Sequence, residues 1–360
     1  MSWGRRVPWW TWAWPLLGWA ILIASAVFGD NSITLAAATG TLIGCVFAAV
    51  YHAEVVAHWL GEPFGTLVLA VAVTVIEVAL IVSIMIASTS GKPGLARDTV
   101  FAAVMITCNG IVGLCLLVGG VRHHEQGFQI QGASAALAVL AALTTLTLVL
   151  PNATTTTPGP EFSTAQLIFA GTVSLVLYAA YVFVQTVRHR DFFLPIENLG
   201  EEAHAPPPDA STAWMSAGLL VVALVAVVGL AKTLTPALET AIDLANAPKS
   251  VVGVIIATLV LLPEGLAALR AARANRLQTS LNLALGSALA SIGLTIPAVA
   301  AVSIVIGQRL DLGLGAAGEV LLALTLLVGV ITLGTGRTTV LQGIVHLVIF
   351  SAFLFLSVVP

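Results

Sequence analysis

The sequence predicts an all-α integral membrane protein of about eleven transmembrane helices, one N-terminal helix followed by two inverted repeats of five helices. Three observations carry that prediction. The 360 residues include only 14 Lys plus Arg and 17 Asp plus Glu, against about 90 charged positions in a soluble chain of this length. Hydrophobic residues make up 58% of the chain, and the mean hydropathy is +1.03. Apolar runs repeatedly reach the roughly 20 residues needed to cross about 30 Å of hydrocarbon, where backbone polar groups must be satisfied inside the helix.

The same composition excludes several function classes. A net charge of −3 without a basic cluster offers nothing to a nucleic-acid backbone. The partners it leaves are the lipid bilayer and small solutes. Cys45, Cys108 and Cys115 all lie in apolar runs without CxxC spacing, so neither a disulfide framework nor a zinc site is indicated, and no cofactor is expected.

The first span, residues 14–28, follows Arg5 and Arg6 and ends near Ala24-Ser25-Ala26, a pattern shared with cleavable signal peptides. Its start carries Trp3, Trp9, Trp10, Trp12 and Trp14, which reads as an interfacial aromatic anchor, so the span is expected to be retained. Further spans are predicted at 33–51, 64–87, 99–119, 132–150 and 165–187, and then at 213–231, 249–270, 281–307, 314–333 and 340–359. Polar, Pro or Gly punctuation separates them.

Residues 188–212 form the longest polar insert, with Asp191, Glu197, Glu201, Glu202, His204, Asp209 and Pro206-Pro207-Pro208. This segment is read as an acidic cytoplasmic linker, either a solvated hinge or a cation-sensing patch. The domain plan is then an extra helix over 1–30, a first five-helix repeat over 31–187, the linker over 188–212, and a second repeat over 213–360. Five spans per half means that the second half enters the membrane from the opposite side. Transporters use such an inverted repeat to expose a midplane site alternately to each face.

With the N-terminus inside, Arg5, Arg6, Arg122, Arg188, Arg190, Arg270, Arg273, Arg276 and Arg337 fall on the cytoplasmic side. Lys92, Arg97, Lys232, Lys249 and Arg309 fall opposite. That asymmetry predicts a multi-pass protein of the plasma (bacterial inner) membrane with a cytoplasmic N-terminus.

Almost every charge sits at a span end, but Glu77 lies inside VLAVAVTVIEVALIVSIMIA and Glu264 inside VVGVIIATLVLLPEGLAAL. Inserting a charged carboxylate at such a depth costs about 2.5 to 3.5 kcal/mol, so such residues face a cavity or partner and serve transport. Each occupies the second span of its half, and the inverted repeat would bring them together. Two close carboxylates raise each other's proton affinity and a cation lowers it, so protons and cations compete for one site. Glu77 and Glu264 are therefore the predicted cation ligands and proton carriers.

Pro263 before Glu264 removes a helix hydrogen bond, either kinking the helix or breaking it so that a carbonyl serves the cation. The span after each Glu holds small polar residues, Thr107, Cys108, Asn109 and Gly110 in one half and Gly286, Ser287, Ala288 and Ser291 in the other. Thr107, Asn109 and Ser287 are secondary ligand candidates whose oxygens suit hard cations. The alternative is that these residues are small for close helix packing.

Tyr51 to Glu62 is read as a segment joining two spans, which sets His52, Glu54, His58 and Glu62 near the cytoplasmic mouth. It is either an ordinary interfacial helix or a vestibule in which Glu54 and Glu62 collect cations. His346 in the last span is either titratable near neutrality or a hydrogen-bonded packing residue.

Gly61-Glu62-Pro63-Phe64-Gly65-Thr66, Glu77, Arg97-Asp98-Thr99, Pro263-Glu264-Gly265 and Gly336-Arg337-Thr338 together resemble the bacterial sodium-potassium/proton and calcium/proton antiporter family of the cation/calcium exchanger superfamily. The resemblance covers nearly the whole chain. It implies eleven spans, two inverted five-helix repeats, one essential acid per repeat, which Glu77 and Glu264 match, and exchange of cytoplasmic Ca2+, Na+ or K+ for protons. The related vacuolar exchangers carry Gly-Asn before each acid and a Gln in the second repeat. Here Val73-Thr74, Val260-Leu261 and Ala290 stand at those places, which removes amide oxygens suited to calcium.

The leading expectation is thus a secondary antiporter exchanging cytoplasmic cations, Ca2+ foremost with Na+ or K+ beside it, for protons at a two-glutamate site. The alternatives are a cation channel, which needs no inverted repeat, and an intramembrane enzyme. The chain lacks GxSxG, HExxH and any Asp-rich pyrophosphate-binding cluster, so the enzyme has no motif behind it.

Overall fold

A computed structural model of the chain describes residues 7–61, 64–87, 94–194, 208–244, 248 and 250–360. The helices in chain order are α1 (Trp9–Phe28), α2 (Ser32–Leu60), α3 (Phe64–Ala87), α4 (Leu95–Met105), α5 (Val112–His123), α6 (Ile130–Thr144), α7 (Thr164–Phe183), α8 (Ala210–Leu244), α9 (Ser250–Arg273), α10 (Leu277–Ile306), α11 (Ala316–Leu333) and α12 (Val340–Val358). A π-helical turn, Ile106–Ile111, joins α4 to α5, so the two form one continuous rod. Among the described residues ten helices are long and apolar enough to cross a membrane, and Val68–Ser83 within α3 is a shorter apolar stretch. This is the all-α, multi-pass architecture of about eleven helices that the sequence predicts.

Several helix ends are written in the sequence. Asn31 opens α2 by accepting from the amides of Ile33 and Thr34 at 3.0 Å each, while the Thr34 hydroxyl accepts from the Asn31 amide at 2.9 Å. The reciprocal pair satisfies donors that a helix start otherwise leaves bare. Gly307 closes α10 in the left-handed region at φ 67°, where a side chain would be strained.

The structure moves some boundaries. α2 runs unbroken to Leu60, so Tyr51 to Leu60 continues the second span and is not a separate joining segment. Its apolar face simply extends inward with His52, which is buried and shares a 3.1 Å hydrogen bond with the Thr11 carbonyl. α8 continues past Pro236 to Leu244, and α9 passes through Pro263 without a break. Proline removes one backbone donor, and the remaining ladder of a long apolar helix tolerates the loss.

The chain divides into two compact units, Met1–Lys92 with Glu202–Ala247, and Pro93–Glu201 with Pro248–Pro360. Each holds helices from both sequence halves. In the first unit α2 packs along α8, with α1 and α3 also against both. Small residues allow the approach: an added Cβ at Gly44 would stand 2.3 Å from the Trp14 ring, and at Gly18 2.9 Å from Cys45 Sγ. Lipid is as apolar as Leu, so such close fits, not hydrophobicity, hold membrane helices together.

In the second unit α10 is the central helix, packed on α4, α5, α6, α7 and α9. Leu281, Leu285, Leu289, Ile292, Ile296 and Val299 are all buried along it, as expected of a helix apolar on every side. At one end the strands β1 (Gln126–Gly127) and β2 (Arg337–Thr338) pair antiparallel. There Gln126 Nε2 donates to Ala272 O and Asn275 Oδ1 at 3.0 and 2.9 Å, tying the α5, α9 and α12 connections together. At another connection Asn152 Nδ2 donates to Leu314 O at 2.6 Å and Arg97 Nη1 to Gly313 O at 3.1 Å.

Candidate site in the membrane-spanning helices

Glu77 sits near the middle of α3 in the first unit and is 2% exposed. Neighbouring Ile76, Leu80 and Ile81 are buried too. Of the predicted vestibule, Glu54 is exposed on α2, and Glu62 lies outside the described residues. So do 195–207, which hold most of the acidic linker, whereas Asp191 and Asp209 are described.

The other candidates belong to the second unit. Glu264 is half-buried on α9 directly after Pro263, and its Oε2 is shut off from solvent. Pro263 has no N–H, so the Leu259 carbonyl one turn earlier lacks its usual helical donor. Gly265 keeps α9 close to the π-helical turn: an added Cβ there would stand 3.1 Å from Ile111 Cδ1. The turn also packs against α10, which carries the half-buried Ser287. The second unit therefore brings the helices of Glu264, Thr107, Asn109 and Ser287 against one another.

Thr107 and Asn109 are fully buried in the turn. π-helical turns insert a residue into an α-helix and are frequent at functional sites. Thr107 Oγ1 donates to Ala103 O at 2.5 Å, which satisfies its proton and leaves oxygen lone pairs. Asn109 is held on both sides of its amide. Its Nδ2 donates to Thr325 Oγ1 at 2.9 Å and approaches Met105 Sδ at 3.8 Å, while its Oδ1 is 3.0 Å from His346 Nδ1. His346 Nε2 lies 3.1 Å from Thr332 Oγ1. The packing reading of His346 is the one the structure adopts, with both ring nitrogens hydrogen-bonded.

Thr325 and Thr332 are the site residues that sequence reasoning missed. Their spacing of seven in an otherwise apolar span places two hydroxyls on one face of α11, and that was the available signal.

With the fold and these positions established, the chain was compared with known proteins. The profile described as sodium/calcium exchanger protein matches residues 31–187 and 215–359. The y4hA protein of Sinorhizobium fredii is 53% identical over 361 residues, covering 99% of this chain and 97% of that protein. The sodium-potassium/proton antiporter ChaA of Escherichia coli is 36% identical over 326 residues, covering 90% of this chain and 88% of that protein. The structure of YfkE, a Ca2+/H+ antiporter, superposes with a TM-score of 0.75 at 16% identity, covering 97% of this chain and 100% of that one. At that identity the last likeness speaks to fold alone.

Proposed function

The chain belongs to the sodium/calcium exchanger protein family, a family of transporters and not enzymes, and from that premise we propose that it exchanges cytoplasmic Na+, K+ or Ca2+ for protons through Glu77 and Glu264. The observation that carries the reading is Glu77, a carboxylate 2% exposed in the middle of an apolar membrane helix. A carboxyl group at that depth can hold either a proton or a cation, so one group handles both species in turn. Glu264, next to Pro263 on the corresponding span of the second half, is its counterpart by sequence symmetry. Thr107 and Ser287 add hydroxyl oxygens of the hard type that alkali and alkaline-earth cations prefer. Alternating access at a midplane two-glutamate site is supported by the five-plus-five arrangement of spans and by the two segments over which the family profile matches. The repeats over 31–187 and 213–360, the linker between them and a cytoplasmic N-terminus in the inner membrane belong to the same proposal. ChaA, the Na+ and K+ exchanger at 36% identity, supports the alkali cations. Calcium is supported by the family whose profile the chain matches, sodium/calcium exchanger protein.

Acridine-orange dequenching in everted vesicles tests this, with Na+, K+ and Ca2+ added separately. The expected result is dequenching by at least one cation, reduced in Glu77→Gln and in Glu264→Gln to the background of vesicles without the protein. Cation flux that persists without any proton movement would make the protein a channel. Full activity in either variant would remove that carboxylate from the mechanism.

A further inference from the structure

We infer that His346 is a positioning residue that fixes the π-helical turn of Thr107 and Asn109 for cation binding, an inference that rests on the proposed exchange function. The directions of the hydrogen bonds lead to it. Thr325 Oγ1 donates to the Leu321 carbonyl at 2.7 Å, so it can only accept from Asn109. The Asn109 amide is thereby oriented with Nδ2 toward Thr325 and Oδ1 toward His346. An amide oxygen accepts only, so His346 Nδ1 carries the hydrogen and donates. In the neutral ring Nε2 then accepts from the Thr332 hydroxyl. Each polar group of the chain Thr325, Asn109, His346, Thr332 thus has an assigned role, in an interior where all four side chains are at most 3% exposed.

The backbone around the chain leaves it little freedom. α12 lies against α5 and the turn through glycines: an added Cβ at Gly113 would stand 3.0 Å from His346 Cβ, and one at Gly110 would stand 3.2 Å from the Phe350 ring. At Gly343 it would stand 2.4 Å from the Leu117 amide nitrogen. His346 is the polar group that this otherwise apolar seam presents to the turn. A π-helical turn has a strained ladder with an extra residue to accommodate, and relaxing to an α-helix would rotate Thr107 relative to Gly265 and Glu264 on α9. The bond from His346 to Asn109 opposes that relaxation. It acts as outer-sphere partners do at metal sites, whose loss typically lowers affinity about 10- to 100-fold without touching the ion.

Two near-isosteres separate the roles of the two nitrogens. His346→Asn keeps a donor at the Nδ1 position and loses the contact with Thr332, while His346→Gln keeps a polar group at the Nε2 position and loses the donor to Asn109. The full-length protein in lipid nanodiscs gives one readout, hydrogen exchange at the amides of Ile106–Ile111, and everted vesicles give another, the half-saturating cation concentration. The expected result is His346→Asn close to wild type in both, with His346→Gln and His346→Leu about tenfold faster in exchange and about tenfold higher in half-saturation. Equal exchange in all four proteins would overturn the inference, as would faster exchange with unchanged half-saturation. Loss of transport in His346→Asn with an undisturbed turn would also overturn it, by making the imidazole a proton carrier. A wild-type protein that moves no cation would defeat the exchange reading alone, because the hydrogen-exchange pattern still reports whether His346 holds the turn.

Discussion

Asn109 on the π-helical turn and His346 on α12 are joined by a 3.0 Å hydrogen bond in the buried interior of the second unit. The bond gives direction to a contact that is otherwise steric. Glycines bring α12 against α5, and a polar bond with a defined donor and acceptor adds an orientation to that steric packing.

The first prediction concerns the far side of the same amide. Thr325→Val removes the acceptor 2.9 Å from Asn109 Nδ2 and leaves only the weak contact with Met105 Sδ. A buried donor without a partner costs about 1 to 2 kcal/mol, toward the lower end inside a membrane protein. The thermal midpoint in detergent should fall in Thr325→Val and recover in Thr325→Ser. Equal midpoints would mean that Asn109 finds another acceptor.

A second prediction tests the glycine seam. A Cβ at Gly343 would sit 2.4 Å from the Leu117 amide nitrogen and 2.9 Å from the Gly113 carbonyl, both backbone atoms that cannot swing away. Gly343→Ala should therefore force α5 and α12 apart and cost about 1 to 3 kcal/mol. Gly218 on α8 has nothing within 4 Å of its added Cβ, so Gly218→Ala is the control. It should leave stability unchanged or raise it by up to about 1 kcal/mol through helix propensity. Unfolding midpoints of the two variants, measured side by side, decide the matter.

The sequence made the membrane spans and the two intramembrane glutamates readable because both are signals of contrast: long apolar runs, and a charge within them. Boundaries were less readable where that contrast fades. His52 and Glu54 looked like the start of a polar connection, yet α2 carries them onward, because a helix with one buried face accepts polar residues on either side of it. Pro263 signalled a kink or a break, and α9 runs on through it. Asn109 was nominated for its amide oxygen, and that oxygen faces His346. Partners 216 and 237 residues away along the chain leave no local trace, and only the spacing of Thr325 and Thr332 pointed to them.

A third prediction concerns Asp209, which directly precedes α8. Hydrogen bonds from the Ser211 hydroxyl, then from the Thr212 hydroxyl at 2.6 Å, hold its carboxyl below the usual carboxylate range. A folded-state pKa below the unfolded one contributes stability above the unfolded value, and that contribution disappears as pH falls through the folded value. Hydrogen exchange at Ser211, Thr212 and Ala213 should therefore lose protection on acidification in the native protein. Asp209→Ala should show the weaker protection at every pH. A native first turn indifferent to pH would mean that the cap contributes nothing.

The last prediction follows from one carboxylate serving two ions. If protons and cations occupy Glu77 and Glu264 alternately, lowering the pH on the cation-loading side fills the sites with protons and raises the concentration of cation needed to displace them. With one competing proton the half-saturating cation concentration should climb toward about tenfold per pH unit once the pH lies below the site's own pKa, and steeper if both carboxylates take a proton. Saturating cation should restore the maximal rate, because competition changes occupancy and not turnover. Initial rates of dequenching across a grid of cation concentration and pH give both quantities at once. A half-saturating concentration that stays constant while the maximal rate falls with acidity would place the proton on a different group from the cation, and the two glutamates could then not be the shared site.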